Sequence, residues 1–307
     1  MAHLAAAVLV AVVVWWVSTG FVFLAARRGA ARPRLVLAGF TALALAGLAG
    51  LAWTARQESL AGVYLAFLSA LAVWAWHEIA FLFGFVTGPR RTPCPPELTG
   101  WRRFAAAFAT LRDHELAILA SAGLVALLVW GAPNQAGLWT FLVLWGMRVS
   151  AKLTIFLGAP FSVSGLIPPH LDYLTSYFRT DRTSRAFAAI IALAAVPFGY
   201  FCYLAATAEA LHLAVAATLI AALAGLAIAE HFFLVLPVPD ALSWAWMAPA
   251  ADERDAAGGH APLAIGRRVV LKGARATSPH RAALPVDYAK RRGPAPAAPR
   301  TGGTSWT

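Results

Sequence analysis

Three adjacent His–Glu pairs stand inside or at the mouth of strongly apolar stretches: His77–Glu78, His114–Glu115 and Glu230–His231. A fourth stretch carries Arg148 and Lys152, four residues apart and so on one face of a helix. An ionisable side chain at the centre of a bilayer costs about 2.5–3.5 kcal/mol on insertion scales, so such residues either pair or serve a function. Three chemistries are open to this set. Glu78, Glu115 and Glu230 can form a charge network with Arg148 and Lys152 that fixes helices to one another. His and Glu together can hold a metal ion. A neutral imidazole, His77 or His231 foremost and His114 next, can be the axial ligand of a tetrapyrrole metal. Trp74, Trp76, Phe81 and Phe83 around His77 are suited either to lining such a pocket or to facing lipid. The metal reading meets a geometric objection. Neighbouring residues on a helix point about 100° apart, so one His–Glu pair seldom gives two ligands to one ion. The Glu-x-x-His spacing of bundle di-iron sites is also absent.

His170 is a weaker candidate, in a loop after Pro168 and Pro169 and before Asp172 and Tyr173. His3, His212, His260 and His280 receive no role. Cys94 and Cys202 lack metal spacing and sit in unlike surroundings, which argues against a disulfide. Phosphate-loop, dinucleotide, Cys-x-x-Cys, HExxH and nucleophile-elbow motifs are all missing. That lowers the odds of a hydrolase or an ATP-driven pump.

These residues need elements to carry them. Of the 307 residues, 60% are hydrophobic and 13% charged, against about 45–50% and 25% in soluble domains. The chain is therefore all-α and integral to the membrane. Seven segments approach the roughly 20 apolar residues a span requires: Leu4–Ala26, Leu35–Ala55, Leu60–Val86, Glu115–Gly131, Gly137–Phe156, Ala186–Ala206 and Leu211–Leu236. Short gaps predict antiparallel hairpins between segments one and two, two and three, four and five, and six and seven. The first run is longer than a signal h-region and has Arg27 and Arg28 after it rather than before, which predicts an uncleaved span.

The net charge of +11 would suggest nucleic acid in a soluble protein; here the distribution of basic residues explains it, and no nucleic-acid partner is expected. Basic residues fill alternate gaps: Arg27, Arg28, Arg32 and Arg34; then Arg90, Arg91, Arg102, Arg103 and Arg112; then Arg179, Arg182 and Arg185; then the tail from Arg254 to Arg300. The other gaps hold Arg56 alone. By the positive-inside rule this predicts seven spans, with the N-terminus periplasmic and the C-terminus cytoplasmic in a bacterial inner membrane. In that frame His77 lies roughly 14 Å from the cytoplasmic end of its span, and Glu230 and His231 roughly 8–9 Å. All four polar sets then share the cytoplasmic half.

The domain prediction is a seven-helix transmembrane unit over 1–247, with cytoplasmic loops 87–114 and 158–185, and a disordered basic tail over 248–307. In the first loop Trp101, Phe104, Phe108 and Leu111 recur at helical steps among arginines, predicting an interfacial helix. In the second, Leu171, Leu174 and Phe178 share a helical face, as a surface helix or a re-entrant turn. Trp15, Trp16, Trp53, Trp101, Trp244 and Trp246 are expected interface anchors. Small-residue runs such as 42–50 predict close helix packing.

Four blocks carry a family likeness. Residues 76–91 (Trp-His-Glu-Ile-Ala-Phe-Leu-Phe-Gly-Phe-Val-Thr-Gly-Pro-Arg-Arg), Asp113-His-Glu-Leu, Leu144-Trp-Gly-Met-Arg-Val-Ser-Ala-Lys-Leu and Pro169-His-Leu-Asp-Tyr-Leu-Thr-Ser-Tyr-Phe resemble the PuhE-type photosynthetic complex assembly proteins. These are multi-pass proteins of anoxygenic phototrophs, encoded beside the reaction-centre H subunit. The likeness spans roughly residues 1–247; the loop before Pro169, Ala-Pro-Phe-Ser-Val-Ser-Gly-Leu-Ile-Pro, departs from the family's more acidic pattern. The resemblance implies an assembly factor for the reaction centre–light-harvesting 1 complex, more a non-enzymatic protein than an enzyme. It would hold or hand over bacteriochlorophyll, or a related tetrapyrrole, and modulate its supply. Its partners would be lipid, reaction-centre or light-harvesting 1 subunits, or other assembly factors. The alternative is a metal-dependent membrane enzyme of tetrapyrrole metabolism.

Overall fold

The computed structural model describes residues 1–162 and 167–237. The predicted tail over 248–307, with Trp244, Trp246, His260 and His280, lies outside the described residues. Where water is absent, backbone groups must bond within their own segment, and a helix achieves this. The described apolar stretches are accordingly helical: α1 (Ala2–Arg28), α2 (Pro33–Thr54), α3 (Leu60–Leu82), α4 (Gly100–Ala109), α5 (Arg112–Leu128), α6 (Ala136–Leu157), α7 (Phe187–Thr207) and α8 (Leu211–Val235). A 3-10 helix covers Pro169–Tyr177. Local signals set the boundaries. Pro33 opens α2, and the Ser59 hydroxyl accepts from Gly62 N–H at 3.1 Å to cap α3.

Six helices are long and apolar enough to cross a membrane: α1, α2, α3, α6, α7 and α8. The predicted fourth segment, α5, is 17 residues long, about 25 Å at 1.5 Å per residue. Its two ends are nonetheless fixed at opposite ends of α3. His114 N–H donates to Thr87 O (2.7 Å), just beyond α3. After α5, Asn134 N–H donates to Ala55 O (3.0 Å) and Asn134 Nδ2 to Thr54 O (3.1 Å), before α3 begins.

The same bonds sort the connections into two ends. At one end the α2–α3 turn meets Asn134 and, through Glu58, the start of α8, where His212 Nε2 is 4.0 Å away. At the other, the α1–α2 turn packs on Phe83. There also Phe161 N–H donates to Leu234 O (3.1 Å) at the end of α8. Arginines knit this second end into a cap. Arg103 donates to Tyr177 O (2.6 Å) and stacks on Phe156, and Arg90 donates to the Tyr177 hydroxyl (2.6 Å). The cap end gathers the described arginines outside the helix bundle, apart from Arg56.

Chain neighbours are not always packing neighbours. α2 with α3 and α7 with α8 form extensive antiparallel pairs, whereas α1 touches α2 slightly and packs mainly on α8, with α3 next. α3 and α8 carry the most buried residues and form the centre. Phe67, Phe141, Leu51, Ile118 and Leu219 fill the main core. Small residues permit the close approach of α2 to α3, because a Cβ on Gly47 would lie 2.7 Å from Ser69 O. α7 turns Leu193, Val196 and Tyr203 outward, as a lipid-facing helix would.

Three sequence readings shift. α3 ends at Leu82 rather than Val86, because Gly84 takes φ +73° and turns the chain out of the helix. The segment around His170 winds as a 3-10 helix. At three residues per turn, Leu171, Leu174 and Tyr177 share the buried face, and Tyr177 replaces Phe178. The expected α1–α2 hairpin is a short connection without an extensive interface. The helix expected in the first loop is present as α4, with Trp101 stacked on Phe104, and both Cys94 and Cys202 are free thiols.

Candidate functional site

α6 is the hub of the polar layer. Its apolar residues bury one side of the helix, and Trp145, Arg148, Ser150 and Lys152 fan out from it to three other helices. Lys152 Nζ lies 2.6 Å from Glu115 Oε1 on α5, and Trp145 Nε1 donates to Glu115 Oε2 at 3.0 Å. Both oxygens of that carboxylate are engaged. Arg148 Nη2 lies 2.7 Å from Glu78 Oε2 on α3. The other oxygen, Glu78 Oε1, is buried without a hydrogen-bond partner. Ser150 Oγ hydrogen-bonds His231 Nε2 on α8 at 2.9 Å. Opposite charges inside an apolar bundle find each other because the alternative is an unpaired ion at membrane depth.

A cavity of about 400 Å³ lies between α1, α3, α6 and α8, within the roughly 300–1,000 Å³ range of small-molecule sites. Glu78, Arg148 and Glu230 line it, with Trp15, Trp16 and Trp74 on its walls. The Arg148 side chain is 45% exposed where it faces this space. Glu230 makes no ion pair within 4.0 Å and no hydrogen bond among the described residues. The cavity therefore offers aromatic faces together with a guanidinium and the free carboxylate of Glu230, beside a Glu78 whose second oxygen is buried without a partner. Such a site can take a mostly apolar molecule with a few polar groups.

The histidines sit elsewhere. His77, His114 and His231 are all at most 2% exposed and none lines the cavity. His77 Nε2 shares a hydrogen bond with Ser121 Oγ at 3.0 Å. His231 bonds Ser150 through Nε2 and lies 2.6 Å from Ala227 O through Nδ1. The His77 and His114 rings approach to 6.4 Å between centroids, and their Nδ1 atoms are both buried without partners. For His77 or His231 to ligate a metal through Nε2, its serine bond must be given up. Among the described residues no group of three or more His, Cys, Asp or Glu is placed to share one metal ion. His170 is exposed, far along the chain at the cap, and packs over Gly84.

The structure thus joins Glu78 with Arg148 and Glu115 with Lys152, brings Glu230 to the cavity they border, and pairs His77 with His114. Sequence reasoning missed Ser121, Ser150 and Trp145, which complete these bonds. Ser150 had a signal, lying between Arg148 and Lys152. Ser121 lies among small residues and gave none.

Long apolar helices whose charges pair across helix boundaries, around an aromatic-walled polar cavity, define a multi-pass helical membrane protein with an internal cavity. The chain belongs to the family described as "Protein of unknown function (DUF3623)", matched over residues 1–255. It is similar to the "Uncharacterized 30.4 kDa protein in puhA 5'region" of Rhodobacter capsulatus, 39% identical over 250 residues, covering 80% of this chain and 91% of that protein. No solved structure matches it.

Proposed function

We propose that this protein is an assembly factor of the photosynthetic core complex that holds a bacteriochlorophyll-type tetrapyrrole in the cavity between α1, α3, α6 and α8. The cavity carries this reading, because it joins aromatic walls to unmet polar groups. Sequence similarity supports the photosynthetic context. The sequence resembles proteins encoded beside the reaction-centre H subunit, and the Rhodobacter relative is named for a position in the puhA 5' region.

The residues fit such a group. A bacteriochlorin brings a central Lewis-acidic magnesium and a rim of keto and ester oxygens. Trp15, Trp16 and Trp74 would flank its ring. Arg148 has donors to spare beyond its bond to Glu78 and would orient the rim oxygens. Glu230 is the cavity carboxylate free to act as a ligand or acceptor. His77 and His231 stand outside the cavity, so either would have to leave Ser121 or Ser150 and turn toward it to hold such a group. Lys152 and Glu115 would hold α5 to α6 behind the site.

We also infer seven crossings, with α5 as a short seventh, and the arginine-rich cap in the cytoplasm. Support comes from the attachment of the two ends of α5 to opposite ends of α3 and from the one-sided arginines. Single cysteines at the exposed positions Glu58 and Ala105, in a chain lacking Cys94 and Cys202 and labelled from outside intact cells, test the sidedness. Labelling at position 105 instead of 58 would reverse it.

To test the main reading, the chromosomal copy is replaced by Ala227→Trp, which fills the cavity. Core-complex accumulation is expected to fall while the variant protein stays at its normal level in the membrane. Full accumulation with a filled cavity would overturn the site.

A further inference from the structure

A second cavity, of about 140 Å³, lies in the cap, between the turn that follows α3 and the 3-10 helix. Phe83, Gly84, Thr87, Arg91, His170, Leu171 and Tyr173 line it, and no carboxylate is among them. Two hydroxyls on its lining residues are buried without a partner: Thr87 Oγ1, on a residue only 2% exposed, and the Tyr173 hydroxyl. An unmet buried hydroxyl costs about 1–3 kcal/mol, so a pair of them in one cavity points to a missing partner. Arg91 makes no ion pair among the described residues, and the His170 ring closes one side against Gly84.

The walls are preorganised. Arg90 holds Tyr177 and the Thr92 carbonyl accepts from the same hydroxyl (3.2 Å). Cys94 N–H donates to Ser176 Oγ (2.8 Å). These bonds fasten the segment after α3 to the C-terminal end of the 3-10 helix. The lining is rich in donors and holds one fixed cation, which suits a small oxyanion and disfavours a cation.

We propose that this cavity binds a phosphate group, using Arg91 for charge, Thr87 and Tyr173 as hydroxyl donors and His170 as the closing wall. It is separate from the tetrapyrrole cavity and does not depend on it. α4, with Trp101 exposed, belongs to the same cap, and an amphipathic helix of this kind would bring the site near the headgroups of anionic lipids. The phosphate can belong to such a lipid or be free in solution.

The test uses the full chain purified in mild detergent, titrated with phosphatidylglycerol and read by native mass spectrometry, with phosphatidylcholine as the control lipid. Inorganic phosphate is titrated in parallel and read as thermal stabilisation. One phosphatidylglycerol is expected to bind saturably, and Arg91→Gln, Thr87→Val and Tyr173→Phe should each weaken it, Arg91→Gln by about tenfold. Lipid retention that millimolar phosphate does not displace assigns the headgroup as the source. Stabilisation by phosphate that is lost in the same variants assigns the free ion. Arg91 is exposed, so its variant tests the site without threatening the fold. Lipid and phosphate responses that are equal in wild type and all three variants would overturn the proposal.

Discussion

Two ion pairs leave α6 one helical turn apart, and they are built differently. Lys152–Glu115 is closed: both carboxylate oxygens have donors, Nζ at 2.6 Å and the Trp145 indole at 3.0 Å. Arg148–Glu78 is open: one carboxylate oxygen has no donor, the guanidinium faces a cavity, and a second carboxylate, Glu230, stands on the same cavity unpaired. A closed buried pair fixes helices and has nothing left to offer a ligand. An open pair beside a cavity keeps unmet hydrogen-bonding capacity. On the proposed reading, the difference would separate structural from ligand-binding charge within a single helix, which residue type and depth alone do not do.

Breaking the closed pair should do the most damage to the fold. Lys152→Ala leaves Glu115 buried and uncompensated, at an expected cost of about 3–5 kcal/mol, read by unfolding in detergent micelles. Replacing both partners together, Lys152→Met with Glu115→Leu, should recover most of that loss. If the double variant stays as unstable as the single one, the pair is not a simple structural clamp.

The open pair should respond in the opposite sense. Glu78→Gln is expected to destabilise by about 1–2 kcal/mol, less than the closed pair. Glu230→Gln, with no partner to lose, should change stability by no more than about 0.5 kcal/mol while reducing pigment retention. A large stability loss at Glu230 would mean that it belongs to the structural network after all.

Smaller effects sharpen the comparison. Ser150→Ala and His231→Ala remove the same hydrogen bond. Ser150→Ala should cost about 1 kcal/mol, and the double variant should cost less than the two singles combined. Smallest of all, Trp101→Ala on the outer face of α4 should leave unfolding within about 0.5 kcal/mol of wild type.

Much of the architecture was legible in the chain. Hydrophobic length marked the six long apolar helices and a shorter seventh segment, and the alternation of Arg27–Arg34, Arg90–Arg112 and Arg179–Arg185 with near-empty gaps anticipated the grouping of loops at one end. The polar set was legible because charge in an apolar run is conspicuous. Its partition was not. Glu78 and Glu115 look alike in sequence, each following a histidine. What separates them is that α5 brings Glu115 under Trp145, while α1 and α8 leave a cavity in front of Glu78. That follows from packing between helices distant in the chain, above all α1 on α8, which no local pattern encodes. The histidines, conspicuous for the same reason as the carboxylates, sit in helix interfaces against Ser121 and Ser150. The 3-10 winding that brings Tyr177 inward depends on contacts with Arg90 and Arg103 from another segment.

The most direct measurement is the absorption spectrum of the full chain purified in mild detergent from a pigment-producing host. Wild type, Ala227→Trp, Glu230→Gln and a His77→Ala/His231→Ala double variant would be compared at equal protein. The account expects a stoichiometric far-red band in wild type that disappears when Ala227→Trp fills the cavity and weakens in Glu230→Gln. Loss in the histidine double variant as well would add His77 or His231 to the residues that hold the pigment. A wild-type protein without pigment, or a band that Ala227→Trp leaves untouched, would contradict the assignment of the cavity.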